Sequence, residues 1–359
     1  MRSFVLSLLT IFIFSCNISA QPLACFVDIQ NQVMVWDRGL IHKVDFMPPT
    51  NFKVGRTCVP YLDNSRSFKI YYNGAVKEQN AGFTNAYFTT DNLVVFLNQK
   101  SLNVFDKGVI KNLAGVCDQY FYGDSVVLFL DSYKSEYKAY YNGQSYTVES
   151  FIPDSTLSRA KVSDNMIAFD NFANQFKIFY RGNLIGQEDY PVNSFDVGRN
   201  TVAYVDVDHK FKIFHSGQTF VLEDYAPASY KVGDNMVSYV SGDGYFKVFY
   251  GDSIRTIGFM SPQYQVGDNI MAYKDPSGAL KVFYKGSITE MENYYPNNIT
   301  VQYNSLAYIN TSSTLRLFTE GEAYDVTNAD LSHWSLNYDV ITYQIGEGIF
   351  KVFYKGIEY

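Results

Sequence analysis

Residues 229–257 read SYKVGDNMVSYVSGDGYFKVFYGDSIRTI. Four runs of about five residues, Ser229–Val232, Met236–Val240, Phe246–Tyr250 and Ser253–Ile257, are rich in β-branched and aromatic side chains and bounded by turn residues, so each predicts a short β-strand. The first two are joined by Gly233-Asp234-Asn235, the next two by the polar Ser241-Gly242-Asp243-Gly244, and the last two by a tight turn at Asp252. Gly and Asn tolerate the positive φ of tight hairpins, which is the turn chemistry expected at the first connection. The stretch therefore predicts a four-stranded antiparallel meander, A-B-C-D. In its C strand, Phe246, Val248 and Tyr250 alternate with Lys247 and Phe249, so both faces carry apolar side chains and both need cover.

The same phrase recurs along the chain. Phe68-Lys69-Ile70-Tyr71-Tyr72, Phe176-Lys177-Ile178-Phe179-Tyr180, Phe211-Lys212-Ile213-Phe214 and Phe350-Lys351-Val352-Phe353-Tyr354 repeat Phe246 to Tyr250, with looser copies at Val33 to Gly39, Leu102 to Gly108, Tyr137 to Gly143, Leu280 to Gly286 and Leu315 to Gly321. The residue closing the phrase falls at 39, 74, 108, 143, 182, 217, 252, 286, 321 and 356, and is Gly everywhere except Asp252. Ten copies at a period near 35 residues cover the chain from residue 24 to 359, and an internal repeat outranks other fold signals. Gly267-Asp268-Asn269 and Gly198-Arg199-Asn200 repeat the first turn. The D-to-A connection carries proline in most copies, as in Phe46-Met47-Pro48-Pro49, Phe151-Ile152-Pro153, Tyr190-Pro191, Tyr225-Ala226-Pro227, Met260-Ser261-Pro262 and Tyr294-Tyr295-Pro296. Proline cannot donate to a ladder, so the sheet breaks there. Small residues recur in the second strand at Ala168, Ala203, Ser238, Ala272 and Ala307, where sheets can converge toward an axis.

Small meanders that are apolar on both faces become stable by stacking on one another. In layout the chain resembles β-propeller repeat proteins, although the Trp-Asp of WD repeats and the double glycine of kelch are missing. The resemblance implies an all-β fold of about ten four-stranded blades, in one ring, two smaller rings or an open array. The single 39-residue spacing, with extra residues near Pro153 to Arg159, marks 150–160 as the place where two rings would divide. The first copy begins at its B strand, Ala24-Cys25-Phe26-Val27, and the last ends on a D stub at Ile357-Glu358-Tyr359, so one blade completed from both chain ends is the expected lock.

Residues 1–20, MRSFVLSLLTIFIFSCNISA, carry one basic residue, an apolar run from Phe4 to Phe14 and a small polar ending. This reads as a secretory signal peptide cleaved after Ala20; the run is shorter than the roughly 20 residues of a membrane span. The alternative is lipidation of Cys16, because Ile13-Phe14-Ser15-Cys16 loosely matches a lipobox. The short basic start, the Ser19-Ala20-Gln21 junction and the Tyr-, Phe- and Asn-rich body resemble exported proteins of Bacteroidota. Three cysteines then remain, Cys25, Cys58 and Cys117, and are read as apolar fillers.

The chain has 31 Tyr and 29 Phe among 359 residues, 47% hydrophobic residues and a net charge of −7, which disfavours both disorder and nucleic-acid binding. His42 and His333 stand alone in their repeats, His209 and His215 flank one strand too far apart to grip one metal ion, and HExxH, Cys-x-x-Cys, Gly-x-Ser-x-Gly and P-loop patterns are missing. No catalytic residue, metal or cofactor is assigned, and an enzyme is not expected; a hydrolase built from distant loop carboxylates is the third-ranked reading. Asp206-Val207-Asp208 lacks the later glycine and glutamate of a calcium loop. Asp63, Asp131, Asp170, Asp206 and Asp275 open the B-to-C loop and read as Asx-turn residues. The recurrent Lys69, Lys138, Lys177, Lys212, Lys247, Lys281 and Lys351, with Arg316 in one copy, are expected to lay their stems on blade surface and reach an acidic neighbour or water. Asp124-Ser125-Val126, Asp154-Ser155-Thr156 and Asp252-Ser253-Ile254 resemble Bacteroidota O-glycosylation tripeptides.

In a meander the A-to-B and C-to-D turns lie on one side and the variable B-to-C and D-to-A loops on the other. The variable side is the expected binding side. Its candidate residues are Tyr190, Pro191, Tyr225, Pro227, Met260, Pro262, Tyr294, Tyr295 and Pro296; the structural alternative is that these rings wedge between blades. The functional expectation is a non-catalytic cell-envelope scaffold with a protein partner, periplasmic or else an outer-membrane lipoprotein. Because the last repeat runs to the end of the sequence with no appended sorting domain, release across the outer membrane is disfavoured. One concrete form is a subunit capping or plugging an outer-membrane secretion channel, type IX-like. Glycan or small-ligand binding by the aromatic loops is the alternative.

Overall fold

The computed structural model describes residues 21–79, 84–150, 157, 159–259 and 262–359. Ten sheets follow one another in chain order, and each is a meander of sequential antiparallel strands. Blade 1 spans residues 24–45, blade 2 51–79, blade 3 84–114, blade 4 120–150, blade 5 160–188, blade 6 194–223, blade 7 229–259, blade 8 264–292, blade 9 299–327 and blade 10 331–358. Among the described residues no helix is present, and none is long and apolar enough to cross a membrane. The first strands of neighbouring blades approach one another, which puts the A strands innermost and the D strands at the rim.

The two-faced C strand explains the stacking. Phe246, Val248 and Tyr250 of blade 7 face Tyr264, Met271, Tyr273 and Phe283 of blade 8, while Phe249 turns the other way onto Ala203, Val205, Phe211 and Ile213 of blade 6. Each blade thus contributes one apolar layer to each neighbour, and burial of these layers supplies the stability a single meander lacks. The small B-strand residues Ala168, Ala203, Ser238, Ala272 and Ala307 are all fully buried between sheets. Cys25, Cys58 and Cys117 are buried free thiols, and burial pushes Cys58 and Cys117 up to about 11.

The blades form one ring. Across the 39-residue spacing, Val126, Leu128 and Tyr137 of blade 4 pack with Ile167, Phe169 and Phe179 of blade 5 in a continuous layer, so the sheets flanking that longer connection do not part into two rings. The seam closes between blades 10 and 1, where Val340, Val352 and Tyr354 meet Ala24, Phe26 and Trp36. The expected lock through a shared blade is not what is found. Blade 1 has three strands among the described residues, no strand from the C-terminal region joins it, and face-to-face packing makes the closure.

Four of the recurrent cations act between blades, whereas Lys138 pairs with Asp131 and Glu136, and Lys281 with Asp275 and Glu290, inside their own blades. Lys69 of blade 2 pairs with Asp45 of blade 1, Lys212 of blade 6 with Glu188 of blade 5, Lys247 of blade 7 with Glu223 of blade 6, and Arg316 of blade 9 with Glu292 of blade 8, all at 2.8 to 3.0 Å. A tyrosine hydroxyl donates to the same carboxylate in each case: Tyr61, Tyr204, Tyr239 and Tyr308. In blade 10 this acid comes from the D strand of the blade itself, Glu358, which takes both Tyr343 and Lys351.

Candidate functional site

The loop side of the disc gathers exposed apolar side chains. Phe46 and Met47 in the connection between blades 1 and 2, Tyr133 in blade 4, Tyr190 between blades 5 and 6, Tyr225 between blades 6 and 7, and Tyr245 and Phe259 in blade 7 all stand in water, with Tyr133 78%, Phe46 71% and Tyr190 66% exposed. Acidic residues lie between them: Asp189, Asp208, Asp224 and Asp243 are exposed on the same side. Three of the five loop-opening carboxylates close Asx turns, whereas Asp131 pairs with Lys138 at 2.9 Å and Asp170 with Arg159 at 2.7 Å. Asp63 accepts from the Ser65 and Ser67 amides, Asp206 from Lys210 and Asp275 from Ser277 and Ala279, as Asx turns do.

The candidate loop residues divide into two groups. Tyr190 and Tyr225 are presented outward, Tyr225 lying over Gly242 of the next blade, where a Cβ would come within 2.8 Å of the ring. Tyr294, Tyr295 and Pro296 are brought together in a hollow of about 460 Å³ with Ile309, Asn310 and Trp334. There the Tyr294 hydroxyl accepts from the Thr311 amide, Pro296 is buried, and Tyr295 packs against the layer between blades 8 and 9, so these last two are the wedges of the structural reading. Pro262 lines a second groove of about 350 Å³ with Phe246, Ile257, Phe259 and Pro276. Pro191 and Pro227 are half-buried. Met260, Cys16, Pro153 and Asp154-Ser155-Thr156 lie outside the described residues. His209 sits in the exposed B-to-C loop of blade 6 and His215 at the far end of the following strand, its Nδ1 3.0 Å from Thr201 Oγ1, so the two do not converge.

The opposite side holds an arrangement that the sequence reading missed. The A-to-B turns of blades 2 to 10 present one residue each: Arg56, Asp91, Asp124, Asp164, Arg199, Asp234, Asp268, Tyr303 and Tyr338. The preceding glycines are there for proximity. A Cβ on Gly198 would stand 1.9 Å from Gly233 O, one on Gly233 2.4 Å from Asp268 O, and one on Gly267 2.1 Å from Tyr303 O. The positive-φ explanation is therefore corrected: these three glycines do not adopt it, and blades converging on the axis leave no room for a side chain. The following Asn residues bond one another across turns, Asn165 with Asn200 at 2.9 Å and Asn235 with Asn269 at 3.3 Å.

Convergence crowds the carboxylates. Arg199 Nε lies 3.1 Å from Asp164 and its Nη1 4.0 Å from Asp234, while Arg56 Nε lies 3.8 Å from Asp91. The Arg56 guanidinium also covers the Tyr338 ring at 4.8 Å, and Tyr338 stacks on Tyr303 at 3.8 Å. Burial raises every one of these acids, with a neighbouring carboxyl adding to each: Asp91 and Asp234 to about 6, Asp164 to about 7, Asp124 and Asp268 to about 8. A shared period of about 35 residues, with Asp immediately after the turn's first residue in five copies, was the signal available in the sequence.

The 10-bladed beta propeller domain family matches residues 17–359. No curated protein matches the chain. Among solved structures, the computationally designed Ika8 protein is 17% identical, with a TM-score of 0.35 over 77% of this chain and 97% of that one. Hsv2p of Kluyveromyces lactis is 11% identical, with a TM-score of 0.30 over 78% and 99%. PorZ of Porphyromonas gingivalis, an essential bacterial surface component of the type-IX secretion system, is 8% identical, with a TM-score of 0.31 over 86% of this chain and 51% of PorZ. These likenesses are remote, and nothing about function follows from them.

Proposed function

The chain belongs to the ten-bladed β-propeller family, and from that premise we propose that it is a non-catalytic, exported scaffold of the bacterial cell envelope that binds a protein partner through the loop side of its disc. The observation that carries the proposal is the set of exposed rings Tyr133, Tyr190, Tyr225 and Phe259, with Phe46, on one side of a rigid ring. Such rings bury large area on binding with few rotors to freeze, which is how interface anchors work. The N-terminal twenty residues favour export, in the style of Bacteroidota, to the periplasm. The concrete form is a disc seated over the periplasmic mouth of an outer-membrane secretion channel, type IX-like. Affinity purification from detergent-solubilised envelopes tests this by asking whether a stoichiometric membrane partner copurifies.

A second reading is supported by the hollow between blades 8, 9 and 10. Tyr294, Tyr295 and Trp334 beside Asn297, Asn298 and Asn310 combine aromatic surface with amide hydrogen-bonding groups, a combination suited to a sugar. Glycan binding lost in Trp334→Ala would support it.

A further inference from the structure

Building on the sugar reading of the hollow between blades 8, 9 and 10, we infer that this site takes an uncharged glycan and that Trp334 is the platform on which it stacks. Trp334 belongs to a periodic set. It stands opposite Tyr343 in the A strand of blade 10, as Phe195 stands opposite Tyr204, Tyr230 opposite Tyr239 and Tyr264 opposite Tyr273. Those three rings are each taken up by a C-strand phenylalanine of the preceding blade: Phe195 by Phe176, Tyr230 by Phe211 and Tyr264 by Phe246, at 5.0 to 5.1 Å. In blade 9 the corresponding C-strand residue is Leu315, which opens the same register shift against its D strand as Phe211 does. Trp334 packs on that aliphatic layer, makes no ring contact among the described residues, and lines the hollow of about 460 Å³. The largest aromatic side chain thus stands where the ring partner used in blades 5, 6 and 7 is replaced by leucine, and half of what it could stack on is left to a ligand.

The polar groups around the ring fix the class of sugar. Asn297 and Asn298 are exposed, and their side-chain amides bond nothing among the described residues. Asn310 accepts from the Ser312 and Thr314 amides through Oδ1, which leaves its NH2 group to donate elsewhere. The Tyr294 hydroxyl accepts from the Thr311 amide at 2.8 Å and keeps its own proton to give. A side-chain amide offers two donors and two acceptor lone pairs, which suits neighbouring sugar hydroxyls that each donate and accept. No carboxylate, ammonium or guanidinium group lines the hollow. A sulfate or carboxylate on the sugar would lose water there without gaining an opposite charge, in a chain whose net charge is already −7, and stripping water from an unpaired charge costs far more than stripping it from a hydroxyl. The C–H face of a neutral pyranose, by contrast, covers the indole and removes water from both apolar surfaces.

The chain has two tryptophans, and Trp36 is fully buried at the seam, so a ligand-dependent change in emission reports Trp334. An array of neutral glycans and their sulfated, sialylated and uronic-acid derivatives is probed with wild type, Trp334→Leu and Asn298→Ala. Emission of wild type is then titrated with N-acetyllactosamine and cellotetraose, and with their charged counterparts 6-sulfo-N-acetyllactosamine and cellotetraouronic acid. The expected result is array binding by neutral glycans, a saturable emission change with a neutral probe, and affinity at least tenfold lower for its charged counterpart. Trp334→Leu, which keeps an apolar side chain against Leu315, should lose array binding at least tenfold, and Asn298→Ala, which alters an exposed amide alone, several-fold. Unchanged emission from Trp36 in Trp334→Leu certifies that this variant is folded. Binding of charged glycans as tight as that of neutral ones, or equal binding by wild type and Trp334→Leu, overturns the inference while leaving a sugar site in place. Binding of no glycan by wild type removes the sugar reading of the hollow and the inference with it.

Discussion

Tyr359 packs against Gly39 across the seam of the ring: a Cβ on Gly39 would stand 3.4 Å from Tyr359 Cε1. Tyr324 meets Gly356 and Tyr146 meets Gly182 in the same way, so blades 10 and 1 are joined in the register used between consecutive blades. Trp36 repeats this in its contact with Tyr354, at 5.3 Å, which matches Tyr72 with Phe105 at 5.3 Å and Tyr250 with Phe283 at 5.7 Å. Tyr359 also meets Trp36 at 5.2 Å. Tyr359→Ala therefore loosens the closure, lowering stability by about 2 kcal/mol, in the range of losing a partly buried aromatic. Trp36 emission during urea unfolding reads it directly. An unchanged midpoint would mean that the seam does not depend on this contact.

Gly233→Ala places a methyl group 2.4 Å from the backbone oxygen of Asp268 and 2.5 Å from that of Gly267. Backbone cannot step aside as a flexible side chain can, so the cost stands near the upper end of overpacking, about 3 kcal/mol. Gly251→Ala, where nothing lies within 4 Å, is the comparison for conformational strain alone. Denaturant midpoints of the two variants should differ, with Gly233→Ala the weaker.

Stability should fall as pH rises from about 4 to about 8. Burial keeps Asp124 and Asp268 protonated in the ring up to about 8, against 3.8 for an ordinary aspartate, so across that window the folded chain binds more protons than the unfolded one. Each unit of displacement at one group is worth about 1.4 kcal/mol. Asp268→Asn, neutral at every pH, should be more stable than wild type at pH 8, the gap closing toward pH 4. Parallel profiles of the two proteins would show that Asp268 is not held protonated.

Intact mass of protein isolated from the envelope should correspond to a chain beginning at Gln21, the product of cleavage after Ala20. A mass carrying lipid on Cys16 would instead make the protein a lipoprotein.

The ring was legible because its grammar is local: Phe246 and Val248 against Phe249 already dictates cover on both faces, and a period near 35 residues dictates how many blades supply it. The exposed Tyr190 and Tyr225 were found from their place beside prolines in variable loops. The axial cluster is hidden in the sequence because Gly233-Asp234-Asn235 reads as turn conformation alone, whereas its meaning lies between blades. Only when the turns converge does Asp234 face Arg199, and only then does Gly233 become a matter of space. The closure escaped for a similar reason, since Tyr359 acts on Gly39, a residue 320 positions away in sequence.

The binding role of the loop side is tested most directly by capturing partners from detergent-solubilised envelopes with wild-type protein and with the triple variant Tyr190→Ala/Tyr225→Ala/Phe259→Ala, whose side chains are exposed and whose loss spares the fold. A stoichiometric outer-membrane protein recovered with wild type and lost or reduced at least tenfold with the variant is the predicted result. Recovery of the wild-type protein alone in repeated trials, or equal recovery of the same partner by both proteins, would contradict it.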